Sequence, residues 1–300
     1  MLVAIGLFVG TAVIAYRAAD LSSSDIDWAP LLLAGLVGVP AATATNAAEY
    51  RLIASITGRR VGVLQSVRVS ILASAANLLP IPGAVLVRVR ALRQAGAGYG
   101  EALTATLIVG LYWVGTTACV VGAVYLFDDH LRPTAAALVA GGLLIAGAAT
   151  GLLRAGAKGG ASDARVPVLA LGAVGVEIAA VAAVGLRFYL VTDALGFDAS
   201  IASAAALALA PAVSSAVGFF PGGFGLREVL GAGIAAVVGL PAAAGALVMV
   251  ADRLLGVIVT GLAALAMWPR RELLGPATDP GVAVPLEEGR GEDGGDQPVP

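Results

Sequence analysis

The chain has 300 residues, of which 59% are hydrophobic and 13% charged, with a mean hydropathy of +0.92. A soluble domain carries about 25% charged residues, so this composition excludes one. The net charge of −2 and the lack of a basic stripe exclude a nucleic-acid binder.

The first segment, "MLVAIGLFVGTAVIAYRAAD", has neither a basic leading region nor an A-x-A cleavage site. It reads as a first membrane helix rather than a signal peptide. Further apolar segments follow at about 28–48, 61–81, 101–127, 134–153, 166–190, 199–220 and 241–268. A bilayer-spanning helix needs about 20 apolar residues. Two shorter apolar stretches, about 83–95 and 223–238, follow the third and seventh segments. The predicted fold is an all-α polytopic membrane protein with about eight transmembrane segments. Stretches such as "AATATNAAEY" and "PAAAGALV" supply small residues that let membrane helices approach closely.

Beyond Pro269 the chain is rich in Gly, Pro and acid. Such a sequence predicts a disordered tail, 269–300, behind a transmembrane domain, 1–268. Cys119 is the only cysteine and His130 the only histidine, so neither an intrachain disulfide nor a Cys/His metal set is available. Cys119 reads as a small core hydrophobe and His130 as a solvated loop residue. No cofactor is predicted.

Basic residues set the expected orientation. Arg51, Arg59 and Arg60; Arg88, Arg90 and Arg93; Arg154, Lys158 and Arg165; and Arg270 with Arg271 fall on one side. Asp20, Asp25 and Asp27; Asp128 and Asp129; and Asp193 with Asp198 fall on the other. The basic side is expected in the cytoplasm, with both termini and the tail, in a multi-pass protein of the cell membrane. The third and seventh segments must then each turn back with their short followers, entering from opposite faces. The two broken hairpins define an inverted repeat, about 28–127 and about 166–268. Pro82-Gly83 precede Arg88 as Pro221-Gly222 precede Arg227, both at an offset of 139 (221 − 82, 227 − 88). Anchoring on Pro80 instead loses the arginine match. Inverted repeats with broken helices are a recurring transporter design, and the exposed helix starts favour anions.

The second hairpin contains "FFPGGFGLRE", residues 219–228. Gly222, Gly223 and Gly225 permit a tight turn. Arg227 and Glu228 point about 100° apart on the following helix, so each needs a partner elsewhere. Glu177, Asp252 and Arg253 are the acids and base embedded in nearby apolar segments, Arg88 is a second cation, and Asn46 and Asn77 offer polar contacts. Two readings stay open. The charges form structural ion pairs, or Arg88 and Arg227 bind an anionic head group while Glu177, Glu228 or Asp252 balances charge or carries a proton. No Walker loop, dinucleotide fingerprint, zinc motif or Ser/His/Asp set occurs, so an enzyme is not expected.

At this motif the chain resembles the lysylphosphatidylglycerol synthase transmembrane (flippase-like) family. Pro221, Gly222, Gly223, Gly225, Arg227 and Glu228 match its Pro-Gly-Gly-x-Gly-x-Arg-Glu pattern. An earlier family motif is met in "NLLPIPGAVLVR" by Asn77, Pro80 and Arg88, with Ala84 and Val85 where the family has Gly-Glu. The resemblance spans about 1–268 and implies translocation of an anionic phospholipid or polyprenyl-linked lipid, with membrane lipids as partners. The aminoacyl transferase domain of the full synthases is not expected here, nor is lipid aminoacylation. Two alternatives remain: a non-transporting scaffold for an envelope-synthesis enzyme, and a small-solute or ion transporter. Oligomeric state is left open.

Overall fold

Every regular element in the computed structural model is a helix among the residues it describes, 2–19, 26–77, 83–156, 164–217 and 225–267. In chain order these are α1 (Leu2–Ala19), α2 (Trp28–Leu33), a π-helical turn (Ala34–Gly38), α3 (Val39–Ile56), α4 (Val63–Ala76), α5 (Gly83–Gln94) and α6 (Tyr99–Tyr125). Then come α7 (Arg132–Gly156), α8 (Val166–Ala194), α9 (Ile201–Ala206), α10 (Leu209–Val217), α11 (Leu226–Val237) and α12 (Ala242–Ala266).

Five helices are long and apolar enough to cross a membrane: Trp28–Ile56, which runs through the π turn, then α6, α7, α8 and α12. At 1.5 Å per residue their 25–29 residues reach about 38–44 Å, more than the hydrocarbon core. The other three expected spans are shorter. The first is the 18-residue α1; the third forms the 14-residue α4; the seventh breaks into α9 and α10, of 6 and 9 residues. The short followers are α5 and α11, each of 12 residues or about 18 Å. The tips between α4 and α5 and between α10 and α11 lie outside the described residues. So do Pro80, Pro82, Pro221, Gly222, Gly223, Lys158 and the predicted tail.

Local chemistry ends these helices in a repeated way. Gly58, Gly96, Gly196 and Gly239 follow α3, α5, α8 and α11 with φ of 69°, 88°, 74° and 80°. The next residue's N–H returns to the last turn each time: Arg59 to Ala54, Ala97 to Leu92, Phe197 to Thr192 and Leu240 to Ala235. This cap satisfies orphan carbonyls and needs the left-handed conformation that glycine adopts without cost. At the starts, Asp27 accepts from the Ala29 N–H at 2.9 Å and Ser200 from the Ser203 N–H at 3.0 Å.

α3 and α8 pack together at the centre and run antiparallel: the Asp27 N–H bonds the Ala194 carbonyl at one end, and Gly172 faces Leu52 near the other. α3 also packs on α4 and α6, and α8 on α9 and α12. α4 lies against α5 and also against α12, while α10 lies against α11 and also against α6. α7 packs chiefly on α6 through glycine; a Cβ on Gly142 would sit 2.5 Å from the Gly115 carbonyl oxygen. α11 and α12 touch as closely, since a Cβ on Gly245 would collide with the Gly231 carbonyl oxygen. The larger apolar core gathers Phe188, Val191, Leu207, Val248 and Met249, from α8, the α9–α10 connection and α12.

Candidate functional site

Two groups of charged side chains lie among these apolar helices. The first is built on α11 and α12. Gly225, at φ 80°, starts α11, and its N–H donates to a Glu228 carboxylate oxygen at 2.7 Å, which satisfies one of the free amides of the first turn. The other Glu228 oxygen accepts from Arg253 Nε at 3.1 Å, and Glu228 is 0% exposed. The Arg253 guanidinium also stands 5.6 Å from the Phe8 ring of α1.

Arg227 turns the other way, as the 100° step between neighbours requires. Its Nη2 donates to Asp252 Oδ2, its Nε reaches Met249 Sδ at 3.3 Å, and its guanidinium stacks 5.7 Å from the Phe188 ring. Asp252 is only 2% exposed and faces a second cation. Arg187 of α8 makes ion-pair contact through Nε with Oδ1, without hydrogen-bond geometry. The aliphatic stem of Arg187 packs on Gly38 of the π turn, where any Cβ would come within 2.9 Å of Arg187 Cγ. π turns recur at functional sites, and here one makes room for a buried arginine.

The second group is built on α3, α5 and α8. Arg88 Nη2 lies 3.1 Å from Glu49 Oε2 and 3.5 Å from Asn46 Oδ1. Glu177 of α8 is 0% exposed, lies within electrostatic range of Glu49 and Arg88, and has neither oxygen hydrogen-bonded. A buried carboxyl with no partner is costly in an apolar setting. Asn77 ends α4, and its Oδ1 accepts from the Ala84 N–H at 3.2 Å, stapling α4 to α5.

The expected site residues therefore separate. Arg227, Glu228, Asp252, Arg253 and Gly225 come together; Arg88 and Glu177 do not join them. Glu177 and Arg187 sit ten positions apart on α8, so the two groups are about 15 Å apart along it. The two groups stand on different helices: Arg88 of α5 meets Glu49 of α3, whereas Arg227 of α11 meets Asp252 of α12. Arg88 stands eight residues before Gly96 and Arg227 twelve before Gly239, so the two arginines also differ by about one turn in their helices. Gly222 and Gly223 lie outside the described residues.

Two members were not among the expected residues, Arg187 and Glu49. The signal was available: each is an ionisable residue inside an apolar segment, at a position where Asp252 and Arg88 require a partner. Cys119 is half-buried rather than a core side chain, its thiol 3.7 Å from the Val139 carbonyl, and His130 is exposed. Among the described residues no group of acids, histidines and cysteines could hold a metal ion.

No protein-family model matches the chain, and no curated protein matches it.

Proposed function

We propose that this protein moves an anionic lipid across the cell membrane, its head group following the buried charges while its tails stay in the bilayer. One observation carries the reading: Arg187 and Arg227 share a single carboxylate, Asp252, between helices that are otherwise apolar. The arginine side chains keep 11% and 16% exposure while Asp252 keeps 2%, so the cations are the accessible side of the group. Two arginines on one acid leave a positive surplus that suits a phosphate.

An inverted repeat, α3–α6 with α8–α12, is part of this reading. Three features support this. The α3 cap and α4 start match the α8 cap and α9 start at an offset of 138 (196 − 58, 201 − 63). The α5 cap and α6 start match the α11 cap and α12 start at 143 (239 − 96, 242 − 99). The cross-packing of α4 on α12 and of α10 on α6 is reciprocal. Paired short helices that meet from opposite faces suit alternating access around a central site. Both termini lie in the cytoplasm in this reading, with Arg51, Arg59 and Arg60. The Pro-Gly-Gly-x-Gly-x-Arg-Glu motif supports membership of the flippase-like family, and no catalytic step is assigned.

The test is head-group translocation in proteoliposomes. Fluorescent phosphatidylglycerol is followed by loss of outer-leaflet quenching in wild type and in Arg227→Ala. Translocation in wild type and its loss in the variant are expected. An unchanged rate in the variant removes Arg227 from the path.

A further inference from the structure

We propose that a hollow between α3, α8 and the start of α4 is a binding site for the phosphate of an anionic lipid, with Arg51 and Arg60 as its ligands. The hollow has a volume of about 650 Å³. Ala48, Arg51 and Ser55 line it from α3, Gly172 and Val176 from α8, and Arg60 from the α3–α4 connection.

Its lining is of two kinds. Ala48, Leu52, Val61, Gly172 and Val176 are apolar, while Arg51, Ser55 and Arg60 are polar and exposed. An acyl chain suits the apolar residues and a phosphate suits the arginines. Gly172 adds no side chain to this surface, and a Cβ there would make ordinary contact with Leu52 at 3.8 Å, so only a large side chain would fill the hollow.

The cations are uncommitted. Arg59, next to Arg60 in the chain, is anchored: its Nη2 donates to the Gly96 carbonyl after α5. Arg51 and Arg60 make no ion pair or side-chain hydrogen bond among the described residues. Gly62, which also lines the hollow, starts α4 without a side-chain cap, so the first-turn amides beside it have no side-chain acceptor. Two free guanidinium groups and a helix start around one concavity, next to an apolar trough, form a receptor for a phosphate that carries a hydrocarbon chain. Arg51 and Val176 are close neighbours in sequence of Glu49 and Glu177, so the bound head group would rest one to two turns from the Glu49–Arg88 group. The site is the docking position for the lipid of the proposed translocation, and it rests on that reading only for the steps after binding.

The experiment is native mass spectrometry of the full chain in detergent, titrated with phosphatidylglycerol or phosphatidylcholine. Wild type is expected to retain phosphatidylglycerol preferentially. Arg51→Gln with Arg60→Gln should weaken that retention about tenfold or more. Arg51→Lys with Arg60→Lys should restore much of it. Gly172→Phe, which fills the trough and keeps both cations, should weaken both lipids; this variant keeps the test decisive if the glutamine pair fails to fold. Equal retention of the two lipids by wild type, or wild-type retention in the glutamine pair, overturns the site. Retention of inorganic phosphate by wild type with no preference between the two lipids also overturns it, assigning the arginines to a soluble anion. The proteoliposome assay separates the two ideas. Preferential retention without any wild-type translocation overturns the translocation reading alone, and translocation without preferential retention overturns this site alone.

Discussion

Arg187 and Arg227, from α8 and α11, contact opposite oxygens of one carboxylate, that of Asp252 on α12. This contact joins the two halves of the broken second hairpin's surroundings to the central helix pair. Removing the acid strands two cations in an apolar core, whereas removing one arginine leaves the pair with the other intact.

Asp252→Ala should therefore destabilise more than Arg227→Met. Breaking a buried pair from one side costs about 3–5 kcal/mol. Thermal unfolding in detergent should show the larger fall for the aspartate variant. The reverse order would mean that Arg187 and Arg227 do not depend on Asp252.

Glu49 and Arg88 form the direct ion pair of the second group, with Asn46 and Glu177 beside it. Arg88→Gln should lower the unfolding temperature, and Glu49→Gln added to it should recover part of the loss. A coupling energy of about 1–3 kcal/mol is expected from the double-mutant cycle. Strict additivity would remove the pair as a stabilising contact.

Helix crossing by glycine makes a contrast within one helix. Gly231 faces the α12 backbone and Gly233 faces open space. Gly231→Ala should separate α11 from α12 and pull Arg227 from Asp252, with lost thermal stability and lost translocation. Gly233→Ala should gain up to about 1 kcal/mol from helix propensity. Equal behaviour of the two variants would show that the crossing is looser than the structure has it.

Glu177 separates structural from functional charge. Its oxygens have no hydrogen bond to lose, so Glu177→Met should leave stability unchanged or raise it, by up to about 1–3 kcal/mol. Translocation should fall in the same variant. A strong loss of stability would instead make Glu177 part of the scaffold.

Much of the fold was legible from composition and periodicity. The long apolar segments became the helices of about 28–56, 99–125, 132–156, 166–194 and 242–266. The short followers of the third and seventh segments also became separate helices, α5 and α11, because Pro and Gly interrupt the chain before each. The need of Arg227 and Glu228 for separate partners was equally legible, because adjacent side chains on a helix diverge. The breaking of the seventh segment into α9 and α10 was not drawn from the sequence, although Pro211 marks it: proline has no N–H for the Leu207 carbonyl, and its ring crowds that carbonyl, so the helix breaks at 207–208.

By itself, then, the sequence determined that apolar helices would carry a few ionisable residues inward, and that those residues would need partners. Only the tertiary structure decided which partner each one met. Arg88 and Arg227 share a spacing from the preceding Pro-Gly, yet the first meets Glu49 on α3 and the second Asp252 on α12. Arg187 reaches Asp252 because Gly38, in another helix, leaves room for its stem. Such choices depend on how closely backbones approach at Gly38, Gly231 and Gly245, and that distance is set by packing between segments far apart in the chain.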